Sequence, residues 1–207
     1  MFDQRTTIDD FLRATAARQP TPGGGSVSAL VGALACAIGE MVLNYSIGKK
    51  GLEIYREDLD LALHELHTGR DMMLLLMAED QNAYASVSTL RKQPSSPERD
   101  KKFTEALEAS IATPQSMAAT AFALLGTCQR VVDLVNWQLL SDLAVCAELA
   151  MATGRCAIYN VRVNLPELPD NNKREQIESE LKQMLARGTE SIQRIIPEIW
   201  LRIGQRE

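Results

Sequence analysis

The sequence predicts an all-α protein: a single-domain bundle of about six to eight long helices, paired into a dimer. Two observations carry the fold class. Apolar residues recur at helical spacing over nearly the whole chain, and the strict alternation of a half-buried strand is missing. Breaks rich in proline and glycine then cut the chain into segments far longer than strands, at 19–25, at 93–97 and around Pro166 and Pro169. With 207 residues, 45% of them apolar and 24% charged, the chain can bury a core without disulfides or metal. No repeat period or low-complexity tract divides it, so residues 1–207 read as one domain.

Thr7, with Asp10 three residues on, starts the first helix, whose face of Ile8, Phe11, Leu12 and Thr15 runs to Arg18. The second helix is expected over 26–47 and the third over 53–92, where only Gly51 and Gly69 interrupt weakly. Pro97 opens the fourth at a first-turn position that proline tolerates. Pro114 is expected to kink or restart that helix before the apolar stretch 115–135. A fifth helix follows over 141–164. Asp170, Asn171 and Asn172 cap the last, over 173–202, with a kink expected at Pro197. In the second helix Gly25, Ala29, Ala33 and Ala37 recur every four residues beside a parallel row of Ser28, Gly32, Cys36 and Glu40. Such rows let another helix approach closely. They suit a central helix squeezed between neighbours and equally a seam across a homodimer.

Twenty-seven acidic residues against 22 basic ones leave a net charge of −5. That argues against binding nucleic acid or an anionic membrane, since both attract cationic surfaces. Aromatic residues at 5% argue against a stacking platform for single strands. The N-terminal stretch is charged throughout and shows no apolar run of signal-peptide length. The most hydrophobic window, 27–43, contains Ser28, Glu40 and several small residues and falls short of a membrane span. Cys36, Cys128, Cys146 and Cys156 sit in apolar helical surroundings without a C-x-x-C pair, the pattern of reduced core cysteines in a cytoplasmic protein.

Thr21-Pro22-Gly23-Gly24-Gly25-Ser26 precedes a helix, so its free N–H groups and the positive end of the dipole suit a carboxylate, phosphate or oxyanion. A tight turn is the competing reading, and the spelling matches neither a P-loop nor a dinucleotide fingerprint. One of Gly24 and Gly25 is expected to need positive φ or a close ligand approach. His64 and His67 lie three apart without a third ligand, a solvated pair rather than a metal site. The run from Met72 to Met77 reads as core filler. Asp80 follows that run beside Ala78, Ala83 and Tyr84, and Asp142 lies among apolar residues at a helix start. On the plainer reading Asp142 caps its helix and Asp80 is a solvated helix residue; in a dry pocket either carboxylate moves protons or holds a cation. Lys49 and Lys50 follow the second helix, where a lysine also offsets the dipole.

Together these segments resemble the cyclodeaminase/cyclohydrolase family of folate enzymes. The matching pieces are the block from Pro20 to Ala29, Gly32-Ala33-Leu34, Met41-Val42, Ile47-Gly48-Lys49-Lys50, Glu79-Asp80 with Ala83-Tyr84, Pro114, Asn136, Ser141-Asp142 and the run from Tyr159 to Asn164. Their order holds over about 7–165, and the proline–triple-glycine block followed by Gly-Lys-Lys is the specific part. Val135-Asn136 departs from the family's usual Gly-Asn, which bears on pocket shape. The resemblance implies a dimeric all-helical enzyme acting on tetrahydrofolate derivatives without metal or a bound prosthetic group. Its two reactions share 5,10-methenyltetrahydrofolate, one opening it with water and the other forming it with loss of ammonia. It implies Lys49, Asp80 and Asp142 as groups that move protons or stabilise the cation. Asn136, Ser141 and Asn160 are implied at the pterin amide edge. Gly23, Gly24, Gly25 and Ser26 are implied at either the glutamate carboxylate or the reacting carbon. Of the two reactions the cyclohydrolase is favoured, because no formiminotransferase domain is fused to the sequence; a catalytically silent helical domain is the remaining alternative.

Overall fold

Five of the six helices lie where apolar periodicity places them, and the sixth, the first in the chain, is short. The computed structural model describes residues 2–3 and 5–205; residues 1, 4, 206 and 207 of the expected domain lie outside it. Among the described residues there are α-helices α1 (Ile8–Ala16), α2 (Gly24–Asn44), α3 (Arg56–Arg91), α4 (Pro97–Val131), α5 (Leu140–Asn164) and α6 (Asn171–Gly204), and no strand. Short 3₁₀ turns at Glu53–Tyr55, Trp137–Leu139 and Leu165–Glu167 lead into or out of them.

The starts follow side-chain chemistry. Thr7 Oγ1 accepts the Asp10 N–H at 3.1 Å, Ser96 accepts that of Arg99, and Asp170 that of Lys173, each satisfying a first-turn donor. Helix α2 begins at Gly24, two residues before the expected start, and closes at Asn44 because the chain then turns through Ser46 and a left-handed Gly48, φ 76°.

Neither internal proline ends a helix. Helix α4 runs unbroken through Pro114 and α6 through Pro197. Pro114 has no N–H to give the carbonyl of Ser110 four residues back. The side chain of Asn164, at the end of α5, supplies it instead: Nδ2 donates to Ser110 O at 3.2 Å.

Helix α2 packs against α3 and α5, both of these pack against α4, and α6 lies over α4 and α5. The small-residue rows of α2 face these neighbours except at Ala37, which is exposed. Ala29, Ala33 and Cys36 are buried, and a Cβ on Gly32 would come within 3.0 Å of Met73 and Thr153. Most of those rows thus pack as a central helix does. The surface left over on α2 is a different stripe, Leu30, Leu34, Ile38, Met41 and Tyr45, with Leu34 53% and Tyr45 66% exposed. By length and a mean hydropathy of 1.9, α2 meets the requirement for a membrane span that the sequence window missed, and 56% of that window is buried inside the bundle.

The core forms two apolar clusters, one around Leu43, Leu66, Leu125 and Leu140, the other around Phe11, Met73, Met117 and Ile158. Met73, Leu76 and Met77 are core as expected, whereas Met72 and Leu75 face outward. Cys36, Cys128 and Cys146 are buried; burial pushes the Cys36 thiol up to about 12, and a contact with Cys128 followed by burial raises Cys146. Cys156 is exposed, because its position on α5 turns away from the core.

Phe122 packs against both clusters and occupies a slot between α5 and α6. A Cβ on Gly154 would lie 2.6 Å from the ring, and one on Gly188 2.3 Å. Gly188→Ala gains roughly 1 kcal/mol of helix propensity but drives a methyl into a rigid ring, a fault that costs about 1–3 kcal/mol. The net result expected is a lower melting temperature in calorimetry, partly recovered by adding Phe122→Leu.

Candidate functional site

Glycine at 25 has a steric reason rather than a conformational one. Neither Gly24 nor Gly25 has positive φ. A Cβ on Gly25 would lie 2.0 Å from Asp80 Oδ1, so only glycine admits the carboxylate of α3 against the first turn of α2. Ser26 Oγ donates to Asp80 Oδ2 at 3.0 Å, and the Ser26 hydroxyl and backbone both favour the charged carboxylate. The anion expected at this helix N-terminus is thus the protein's own Asp80, placed where free N–H groups and the dipole favour negative charge. Burial outweighs these bonds and raises the Asp80 pKa above the ordinary carboxylate value.

Asp80 borders a cavity of about 400 Å³, within the usual range of small-molecule sites. Gly23, Gly24 and Gly25 form one wall. Asn160 of α5 forms another, its Oδ1 3.2 Å from where a Gly24 Cβ would stand and its Nδ2 donating to Cys156 O. Ser110 and Asn164 also line it, so the bond that compensates Pro114 is part of the cavity. Gln81, next to Asp80, is held by reciprocal 2.8 Å bonds with the backbone of Phe2, which fixes this end of the bundle.

The other expected residues lie elsewhere. Lys49 Nζ donates to Asn136 Oδ1 and, at 3.3 Å, to Gln138 Oε1, while Ser46 Oγ accepts the Asn136 N–H at 2.8 Å. Asn136 Oδ1 also accepts the Gln138 N–H, capping the turn before α5. Ser141, exposed, and Asp142, half-buried in the first turn of α5, flank this group; Asp142 adds negative charge to a helix start without being its N-cap. Helix α2 separates the two groups by about 30 Å of helix length. Within one chain, Lys49, Asn136, Ser141 and Asp142 therefore do not reach Asp80.

Sequence reading missed Val87, Arg91, Ser110 and Glu167 as cavity residues. Val87 and Arg91 were accessible to it, since they fall seven and eleven residues after Asp80 on one helical face. Glu167 and Ser110 come from other helices and carry no such signal. Among the described residues no three His, Cys, Asp or Glu side chains converge as a metal site. A wider hollow of about 600 Å³ between α5 and α6 contains none of the expected residues, and its Arg162 is already paired with Glu178.

Comparison with known proteins agrees over nearly the whole chain. The family model described as formiminotransferase-cyclodeaminase matches residues 7–183. Methenyltetrahydrofolate cyclohydrolase of Methylorubrum extorquens is 31% identical over 185 residues, covering 87% of this chain and 89% of that protein. Formimidoyltransferase-cyclodeaminase of Mus musculus is 30% identical over 87% of this chain, which spans 34% of the mouse protein. The solved structure of formiminotetrahydrofolate cyclodeaminase from Thermotoga maritima superposes with a TM-score of 0.89 at 27% identity, over 96% of this chain and 98% of that one. With the family model matched over residues 7–183 and the helical frame shared at this level, the chain belongs to the formiminotransferase-cyclodeaminase family.

Proposed function

We propose that the protein is a folate-dependent one-carbon enzyme that hydrolyses 5,10-methenyltetrahydrofolate to 10-formyltetrahydrofolate, with Asp80 as its acid–base group. The observation that carries this reading is the half-buried Asp80 carboxylate, facing a cavity of about 400 Å³ with its pKa raised by burial. The substrate's bridging carbon belongs to a cationic amidinium, which an adjacent carboxylate attracts. Water adds to that carbon and passes a proton to Asp80, giving a neutral tetrahedral adduct. The carbon–N5 bond then breaks as Asp80 delivers that proton to N5. The adduct hydroxyl loses its own proton to water as the C=O bond forms, and the carbon stays on N10 as the formyl group. The balance is one water consumed and one proton released. A carboxyl group whose pKa lies above the usual range suits both the taking and the giving.

The similarity to the Methylorubrum cyclohydrolase, which the chain matches over most of its length, supports this direction. The similarity to the Thermotoga cyclodeaminase supports the second reading, in which N10 attacks a formimino carbon and ammonia leaves. Both pass through a tetrahedral carbon between two nitrogens, and the same carboxylate serves either. Parallel assays of 5,10-methenyl- and 5-formiminotetrahydrofolate, followed by methenyl absorbance, separate them. Turnover of neither supports a silent helical domain.

We further propose that residues 1–207 act as one domain that forms a homodimer through the outer stripe of α2, where Leu34 is 53% exposed. A two-fold axis in the interface and across α2 lays the two copies antiparallel. Lys49 of the partner subunit then comes over the Asp80 end, which accounts for polar groups at opposite ends of one chain. Light scattering is expected to give twice the 22.9 kDa chain mass. Leu34→Glu, which puts charge in the centre of the stripe, is expected to reduce it to the single-chain value.

Asp80→Asn keeps the shape and removes the charge. The rate is expected to fall roughly 10²–10⁴-fold. Because the folded-state pKa is raised, the folded protein holds this proton more tightly than the unfolded chain. Stability therefore drops as pH rises from the ordinary aspartate value through the raised one. The Asn variant lacks that drop, so its neutral-pH melting temperature is expected to equal or exceed the parent's in a scan across pH.

A further inference from the structure

Asp80 is the first of five α3 residues that line the cavity, and beside the small Ala83 the other four, Asp80, Tyr84, Val87 and Arg91, are spaced four, three and four apart along one face. An acid, an aromatic ring, an aliphatic side chain and a guanidinium follow one another in that order. The far end is closed by Glu167, just after α5, whose two oxygens both accept from Arg91 Nη2 at 2.7 Å. The ring of Phe103 lies 6.0 Å from the guanidinium carbon. Arg91 and Glu167 side chains are 56% and 43% exposed, and a pair this wet contributes little to stability, so either partner exchanges readily.

We propose that Arg91 reads the glutamate tail of the folate, Glu167 occupying its guanidinium until the substrate carboxylate displaces it. This rests on the cavity being the folate site. The backbone distance from Asp80 to Arg91 is about 16 Å, and a helical arginine leans back toward the N-terminus, which leaves a gap of about 10–16 Å. Standard bond lengths put about 9–12 Å between N10 and the two tail carboxylates. A folate with its cationic carbon at Asp80 thus lays its benzoyl ring along Tyr84 and Val87 and brings its tail to Arg91. The guanidinium fork matches a carboxylate in two bonds. In this orientation the glycine wall serves the reacting carbon, and the tail lies at the opposite end of the cavity.

The test compares 5,10-methenyltetrahydrofolate with the corresponding tetrahydropteroyl carboxamide, which ends in an uncharged amide where the glutamate begins. In the parent protein KM for the carboxamide is expected to exceed that for the folate by roughly ten- to a hundredfold, the scale of a charged bidentate contact. In Arg91→Ala that ratio is expected to fall to about one, the change lying in KM for the folate and not in kcat. Glu167→Gln, which leaves Arg91 in place but removes its competing charge, is expected to lower KM for the folate. Arg91→Lys, with charge but no fork, is expected to give an intermediate ratio and serves if the alanine variant folds poorly. A ratio near one in the parent, or a parent ratio retained in Arg91→Ala, overturns the role of Arg91 and leaves the folate reading standing. An unchanged KM in Glu167→Gln overturns the exchange. Turnover of neither compound by the parent overturns the hydrolysis, and the same ratios are then read with 5-formiminotetrahydrofolate and its carboxamide. No turnover of these either overturns the folate reading and this inference with it.

Discussion

The contact between the Asp80 carboxylate and the first turn of α2 is the constraint around which this end of the bundle is built. It requires glycine at 25, where any side chain would collide with the carboxylate, and a hydroxyl at 26 to donate to it. It fixes the register of α3 against α2 and therefore which residues of α3 face the cavity. It also sets the charge balance of the site. A helix N-terminus holds the acid in place while burial keeps its proton affinity high, two opposed influences of which burial is the larger.

Most of the fold was legible in the sequence because its signals are local. The apolar period placed α2 to α6, and Thr7, Ser96 and Asp170 stand at helix starts as side-chain caps. The helix restart expected at Pro114 does not occur, for a non-local reason. At Pro114 the missing donor is replaced from another helix, 50 residues on in the chain, a relation that no window of sequence displays. The glycine run announced a close approach, but that the approaching group is Asp80 rather than a ligand follows only from the packing of α3 on α2.

The site was half legible. Gly23, Gly24, Gly25, Ser26, Asp80 and Asn160 do meet, whereas Lys49, Asn136, Ser141 and Asp142 gather at the other end of α2. Residue types carry no record of distance along a rigid rod, so a set of polar residues spread over the chain reads as one constellation when it is two. The same rod explains the surface. Helix α2 spends most of its small residues on α3 and α5, buries Val42 and Leu43 with them, and turns Leu34 outward beside the exposed Ala37.

The bond from Asn164 to the Ser110 carbonyl makes the history of this helix pair directional. While Pro114 is present, Asn164 cannot be exchanged for an apolar residue without leaving a carbonyl at the cavity edge dependent on water. Once Pro114 is replaced by a residue with an N–H, the helix satisfies that carbonyl itself and Asn164 becomes free to vary. Two substitutions that are neutral in one order pass through a weakened protein in the other. Drift in this family is therefore expected to release the proline before the asparagine, and a lineage that retains both remains tied to the pair.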